Sequence, residues 1–197
     1  ITLDTFITQQ VTDFKDISST IESQLNIKPL RHLANTAAIE RFPSATFDMV
    51  RIGIGLYGIF TIGEQTKLRP VGTFKSYISQ IKIIPAHAGV GYEKHSKTDK
   101  ERQIAIVAVG YADGYSRGFS QGKGSFMING KQAPIVGNVC MDMTMCDVTS
   151  IICEEGDEVI IFGENPRVSE LAKQIGTIPY EILTNVSERV NRVFYQE

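Results

Sequence analysis

Between Thr5 and Leu25 the apolar residues recur at Phe6, Val11, Phe14, Ile17, Ile21 and Leu25. That near-helical spacing predicts an amphipathic helix with a polar outer face. Pro29 interrupts it and leads into a short extended piece over Leu30 to Leu33. Asn35-Thr36 can cap a second short helix over Ala37 to Arg41, because an Asn side chain accepts from first-turn amides. Phe47 to Ile52 reads as a buried strand running into a glycine-rich turn, Gly53-Ile-Gly-Leu-Tyr-Gly58. Helix, strand, helix, strand over residues 1 to about 60 is a piece of a parallel α/β architecture, too short to close a barrel by itself.

The pattern then changes to short alternating runs. Phe74 to Ile84 predicts a long strand and Gln103 to Val109 a β-branched one. Ser125 to Ile128 and Gln132 to Val136 flank Asn129-Gly130, the dipeptide of a tight hairpin turn. Met143 to Val148 and Glu158 to Phe162 complete a set of short strands separated by polar turns, the signature of an all-β domain. Val168 to Gln174 and Pro179 to Leu183 read as short helices, and Arg189 to Tyr195 as a last strand. The fold class is therefore α/β followed by all-β.

With 197 residues, 42% hydrophobic and 21% charged, the chain has the composition of an ordinary globular protein of one large or two small domains. The formal net charge of −2 supplies no basic excess for neutralising phosphates, which argues against a nucleic-acid partner. No apolar run approaches the ~18 residues of a membrane span, so no membrane partner is expected. Ile1-Thr-Leu-Asp-Thr5 lacks both an initiator Met and the basic-then-apolar pattern of a signal peptide, which points to a processed or excised piece. Cys140, Cys146 and Cys153 are odd in number and show no CxxC spacing. They read as reduced thiols of a cytoplasmic protein rather than a disulfide framework. With His32, His87 and His95 scattered, no metal site is expected.

Four separated segments carry candidate chemistry: Met49-Val-Arg-Ile-Gly-Ile-Gly-Leu-Tyr-Gly58, Val90-Gly-Tyr92, Gly110-Tyr-Ala-Asp-Gly-Tyr115 and Val139-Cys-Met-Asp142. Taken singly, each has a plain reading. The first is a strand-to-helix turn with a salt-bridged arginine, the second a tyrosine on a loop, and Asp113 and Asp142 are turn caps, the reading we prefer for Asp113.

In this order and spacing, the four segments resemble the alanine racemases, which are pyridoxal 5'-phosphate enzymes. The resemblance runs from about Lys28 to Tyr195. It implies that residues 1–65 are the last part of a (β/α)8 barrel and that residues 66–197 are the carboxy-terminal β-domain of that family. It further implies a phosphate cradle from Thr36, Gly53 and Ile54, at the barrel loops that commonly hold such groups. Arg51 would face the pyridine nitrogen, with His32 supporting it. A guanidinium has only donors and stays charged, so it would leave that nitrogen unprotonated and favour prompt reprotonation over transamination. Tyr92 would be the acid/base on one face of the substrate. Tyr111, Met141 and Asp142 would line the substrate-carboxylate end.

The resemblance also implies what the chain lacks. The family's cofactor-anchoring lysine, which is also its second proton carrier, belongs to a strand before Ile1, so this chain alone is expected to be inactive. The family's homodimer would let Tyr92 and Met141 serve the partner's cofactor. Many members carry a tyrosine near Glu188 that touches the phosphate, where a carboxylate would repel it, so Glu188 receives no role. Interconversion of L- and D-alanine for cell-wall synthesis is the main expectation. A racemase of serine or lysine, and a non-catalytic dimerisation module, are the alternatives.

Overall fold

The computed structural model describes residues 3–60, 68–91, 96–97 and 99–196. The chain divides into two units, Ile1–Arg69 and Pro70–Glu197.

The first unit begins with α1 (Leu3–Leu25), followed by strand β1 (His32–Asn35), helix α2 (Thr36–Arg41) and strand β2 (Met49–Arg51). Asn35 caps α2 as its sequence suggests, its side-chain oxygen accepting from the Ala38 amide at 3.0 Å. β1 and β2 pair in parallel, with His32 opposite Met49 and Asn35 opposite Arg51. β2 starts later than the apolar run because Phe47 takes a left-handed backbone, φ 46°. The turn is held by the Asp48 carboxylate, which accepts from the Arg31 backbone N–H at 3.0 Å and from its guanidinium at 3.1 Å. That pairing holds the Asp48 carboxyl below its ordinary value, chiefly through the Arg31 hydrogen bonds.

One buried cluster of this unit gathers Val11, Ala34 and Ala45, with Ile7, Phe42, Phe47 and Val50 around them. α1 carries two apolar stripes offset by about a quarter turn. Val11 and Phe14 turn inward, Phe14 meeting the edge of the Phe47 ring at 4.9 Å between centroids. Phe6, Ile17, Ile21 and Leu25 lie exposed within the unit, so the outer face of α1 is not the polar one expected from the spacing.

The second unit holds a six-stranded antiparallel sheet in the order β8-β7-β10-β3-β6-β9. Its strands are β3 (Phe74–Ile84), β6 (Arg102–Val107), β7 (Ser125–Ile128), β8 (Lys131–Pro134), β9 (Thr144–Asp147) and β10 (Glu158–Phe162). A short pair, β4 (Gly89–Val90) and β5 (Ser96–Lys97), stands beside it. Asn129 and Gly130 both have positive φ, the geometry of the tight hairpin turn between β7 and β8. Pro134 has no N–H to donate, yet the chain continues as a bridge from Ile135 to Cys146 and a bond from Val136 N–H to the Met145 carbonyl. The two edge strands are thereby joined and the sheet closes into a barrel.

Phe119, Phe126, Ile78, Ile128, Ile161 and Val159 fill the barrel and are almost wholly buried, while Ile104 packs in a separate cluster with Val90, Val136 and Met145. Each such side chain contributes about 1.5–3 kcal/mol on burial. Tyr115 stacks on Phe119 at 4.6 Å. Helices α3 (Val168–Ile175) and α4 (Pro179–Thr184) follow β10. The last strand expected over Arg189 to Tyr195 does not form. Val193, Phe194 and Tyr195 have the β-branched and aromatic character of a strand but are exposed. Side-chain type alone makes no strand where no neighbouring edge takes up its backbone groups.

Candidate active site

In the first unit, β1 and β2 bring Thr36 to the start of the glycine turn. Thr36 is buried, and its Oγ1 accepts the Gly53 N–H at 3.0 Å. Gly55 packs against this residue, where a Cβ would lie a tight 3.1 Å from the Thr36 methyl. The Gly53 N–H is thus used inside the loop, while the Thr36 hydroxyl keeps its own proton to donate. Ile54 opens a 3-10 turn (Ile54–Tyr57), so its amide is one of those without an intrahelical acceptor. Arg51 closes β2 exposed, with one terminal nitrogen donating to the Leu33 carbonyl at 3.2 Å. The register sets His32 across from Met49, two residues before Arg51 on the same strand.

The second unit holds the remaining candidates. Tyr92 lies outside the described residues. Gly91, just before it, has φ 77° and closes β4. A groove of about 380 Å³ brings Val90 and Gly91 together with Cys140, Met143 and Met145. Burial raises the Cys140 thiol, an effect the nearby Arg117 partly offsets, and this keeps the group a neutral lining atom near pH 7.

Two loops meet back to back at the adjoining end. The Tyr111 N–H donates to the Cys140 carbonyl and the Ala112 N–H to the Met141 carbonyl, both at 3.0 Å. The approach is so close that a Cβ on Gly110 would lie 2.3 Å from each of those two carbonyl oxygens. Tyr111 and Met141 are therefore held on adjacent loops, 42% and 53% exposed, where a small polar ligand can reach them. Asp113 is a turn cap, its carboxylate accepting the Gly110 N–H at 2.8 Å.

The sequence gives no hint of the next contact. Arg189 Nε donates to the other oxygen of Asp113 at 2.7 Å, and its terminal nitrogen donates to Asp142 at 2.6 Å. These partners lie 76 and 47 residues away in the chain, beyond any local pattern. The bonds to Asp113 first, and to Asp142 second, raise the Arg189 guanidinium further above its ordinary value, so it is always charged. Glu188 is exposed beside it. Among the described residues no cluster of His, Cys, Asp or Glu is arranged to hold a metal ion. Among them, too, no helix is long and apolar enough to cross a membrane.

Comparison with known proteins assigns both units. Residues 71–194 match the family model for the carboxy-terminal domain of alanine racemase. Residues 2–60 match the model for the amino-terminal domain of alanine racemase. An alanine racemase of Clostridium novyi is 42% identical over 174 residues, covering 83% of this chain and 45% of that protein. The solved alanine racemase of Streptomyces coelicolor superposes with a TM-score of 0.90 at 35% identity, covering 97% of this chain and 52% of the other. That of Bartonella henselae, solved with covalently bound pyridoxal phosphate, superposes with a TM-score of 0.85 at 30% identity, covering 95% and 52%. The chain spans about half the length of the curated relatives it matches. It belongs to the alanine racemase family, as a short piece of the amino-terminal barrel domain followed by the carboxy-terminal β-barrel domain.

Proposed function

We propose that this chain is the carboxy-terminal portion of a pyridoxal-phosphate-dependent racemase that interconverts L- and D-alanine, and that it is inactive without an upstream segment bearing the anchoring lysine. The observation that carries the reading is the pairing of Gly110–Asp113 with Cys140–Asp142. It sets an exposed tyrosine hydroxyl and an exposed loop side by side, as a small carboxylate requires.

The residues of the first unit suit the cofactor by their donor chemistry. The Thr36 hydroxyl, whose oxygen accepts from Gly53, and the Ile54 amide offer protons to a phosphate. Arg51 spends one terminal nitrogen on Leu33 and has its remaining N–H groups for an unprotonated ring nitrogen. Pyridoxal phosphate, when bound, supplies an electron-withdrawing ring that acidifies the α-hydrogen of an attached amino acid.

The chain's own residues would do the rest. Tyr92 takes or returns the α-proton on one face. Near neutrality that role needs a cationic or hydrogen-bonding environment to lower a phenol from its ordinary value of about 10. Tyr111 donates its hydroxyl to the substrate carboxylate, and Met141 closes the space next to it. Alanine as the substrate is supported by the alanine racemases that this chain resembles. In a homodimer, Tyr92, Tyr111 and Met141 would serve the partner's cofactor while Thr36 and Arg51 serve their own. The three free cysteines fit a cytoplasmic setting, where thiols stay reduced.

The test is D-alanine formation from L-alanine with added pyridoxal phosphate. It is run on this chain alone and on the chain extended at its amino end by the matching barrel segment of a relative. Activity only in the extended protein, lost in one direction on Tyr92→Phe, is the expected result. Activity of this chain alone overturns the requirement for the upstream lysine. A folded extended protein that stays silent overturns the racemase assignment in favour of a non-catalytic module.

A further inference from the structure

The tail after α4 is tied to the two site loops through one side chain. Gly114 packs so closely on it that a Cβ there would lie 2.3 Å from the Asn185 carbonyl oxygen. The Ser187 N–H donates to the Asp113 carbonyl at 3.1 Å. Arg192 then folds back and donates to the carbonyls of Val186, Ser187 and Val190 at 3.1 to 3.3 Å, fixing the backbone on either side of Arg189. From that fixed base the Arg189 guanidinium spans two carboxylates with two different nitrogens. One belongs to the residue that caps the Tyr111 turn, and the other follows Met141 directly in the chain.

We propose that Arg189 is a positioning residue that sets the separation of Tyr111 and Met141 by bracing Asp113 against Asp142. The part of the inference that concerns substrate rests on the reading above, in which those two residues receive the carboxylate. Two backbone hydrogen bonds already join the loops, but both lie on the Gly110 side, at Tyr111 and Ala112. Without a second tie, the loops can hinge about that seam and change the gap between the side chains. The guanidinium supplies the second tie. Its planar fork can hold two acceptors at a fixed spacing, whereas the single ammonium of a lysine on a flexible stem cannot. Arg189 is half exposed, and exposed ion pairs add little to global stability, so the brace acts on geometry more than on the fold.

The experiment has two arms. In the full 197-residue chain, amide exchange at Tyr111 and Ala112 is compared between the native protein, Arg189→Met and Arg189→Lys. Arg189→Met is expected to speed exchange at those two amides by about tenfold and to leave Ile128 and Val159 unchanged, with Lys restoring only part of the protection. Asp142→Asn should give the same change, and the double variant no more, because all act through one brace. Unchanged exchange in Arg189→Met overturns the brace whatever the enzyme does. In the extended protein, KM for L-alanine should rise about tenfold in Arg189→Met with kcat within about threefold, since the gap governs binding of the carboxylate. An unchanged KM alongside accelerated exchange overturns the positioning role. Accelerated exchange in a protein whose native form has no racemase activity leaves the brace standing and removes only the reading of function.

Discussion

Gly110→Ala isolates one contact on which the candidate site depends. The glycine has φ −146° and ψ −165°, extended backbone open to any residue, so the substitution carries no conformational strain. Its whole effect comes from space. A Cβ would sit 2.3 Å from the Cys140 and Met141 carbonyl oxygens and 2.5 Å from the Met141 carbonyl carbon, all backbone atoms that cannot rotate away. An ordinary contact needs a separation of about 1 Å more, and there are two ways to respond. The loops can stay and hold the overlap, at a cost of about 1–3 kcal/mol for overpacking. Or they can part, losing the two bonds at 3.0 Å from Tyr111 and Ala112, at about 1 kcal/mol each. Both routes arrive near 2 kcal/mol.

Urea unfolding of the full chain, followed by far-ultraviolet circular dichroism, measures this. With a slope of about 2 kcal/mol per molar urea, the midpoint should fall by about 1 M. Gly72→Ala is the matched control. A Cβ there meets nothing within 4 Å, so its midpoint should stay put or rise slightly through loss of unfolded-state freedom. A fall of less than about 0.25 M in Gly110→Ala, with the Tyr111 and Ala112 amides still protected, would refute the claim that the two loops are in obligatory backbone contact.

Two further outcomes follow from single groups. The Tyr115 hydroxyl is buried and has no hydrogen-bond partner among the described residues, and burial pushes its ionisation well above the ordinary value for a phenol. Tyr115→Phe keeps the stack on Phe119 and discards the orphan group, so thermal unfolding should show stability unchanged or raised by about 1 kcal/mol, and a loss of that size would mean the hydroxyl has a partner. Asp48 has a folded-state pKa below its ordinary 3.8. Its contribution is therefore present above 3.8 and lost as pH falls through the folded value, since the unfolded state binds the proton first. Thermal scans from pH 6 to pH 3 should show a smaller acid loss in Asp48→Asn than in the native chain, and parallel curves would sink the assignment.

What was legible in the sequence was local. The Asn35 cap, the Asn129-Gly130 turn and strand Glu158–Phe162 all depend on residues within a few positions, and each formed where the pattern put it. The Asp113 cap is of the same kind, a carboxylate reaching an amide three residues back. The departures were decided by distant partners. Phe47 leaves the strand because the Asp48 carboxylate is claimed by Arg31, 17 residues earlier. The outer stripe of α1 reads as polar only if Phe6, Ile17 and Ile21 join the inner one, and the two small strands behind it are too narrow to cover both. Val193, Phe194 and Tyr195 have strand character but pair with no edge among the described residues.

Stability and site geometry are carried by different atoms in the second unit. The barrel is held by buried apolar side chains such as Phe119, Phe126, Ile128 and Val159. Those loops are fixed by a missing methyl at Gly110 and by half-exposed ion pairs at Arg189. Exposed pairs contribute about 0–1 kcal/mol each, less than one buried side chain of the core. Substitution at Arg189 can therefore leave melting almost untouched while the two loops part, so measurements of stability alone would miss it. The same separation explains why hydrophobic pattern reveals the barrel readily and the brace not at all. Periodicity reports burial, and the Arg189 brace is held by charge at the surface, between residues that the fold alone brings together.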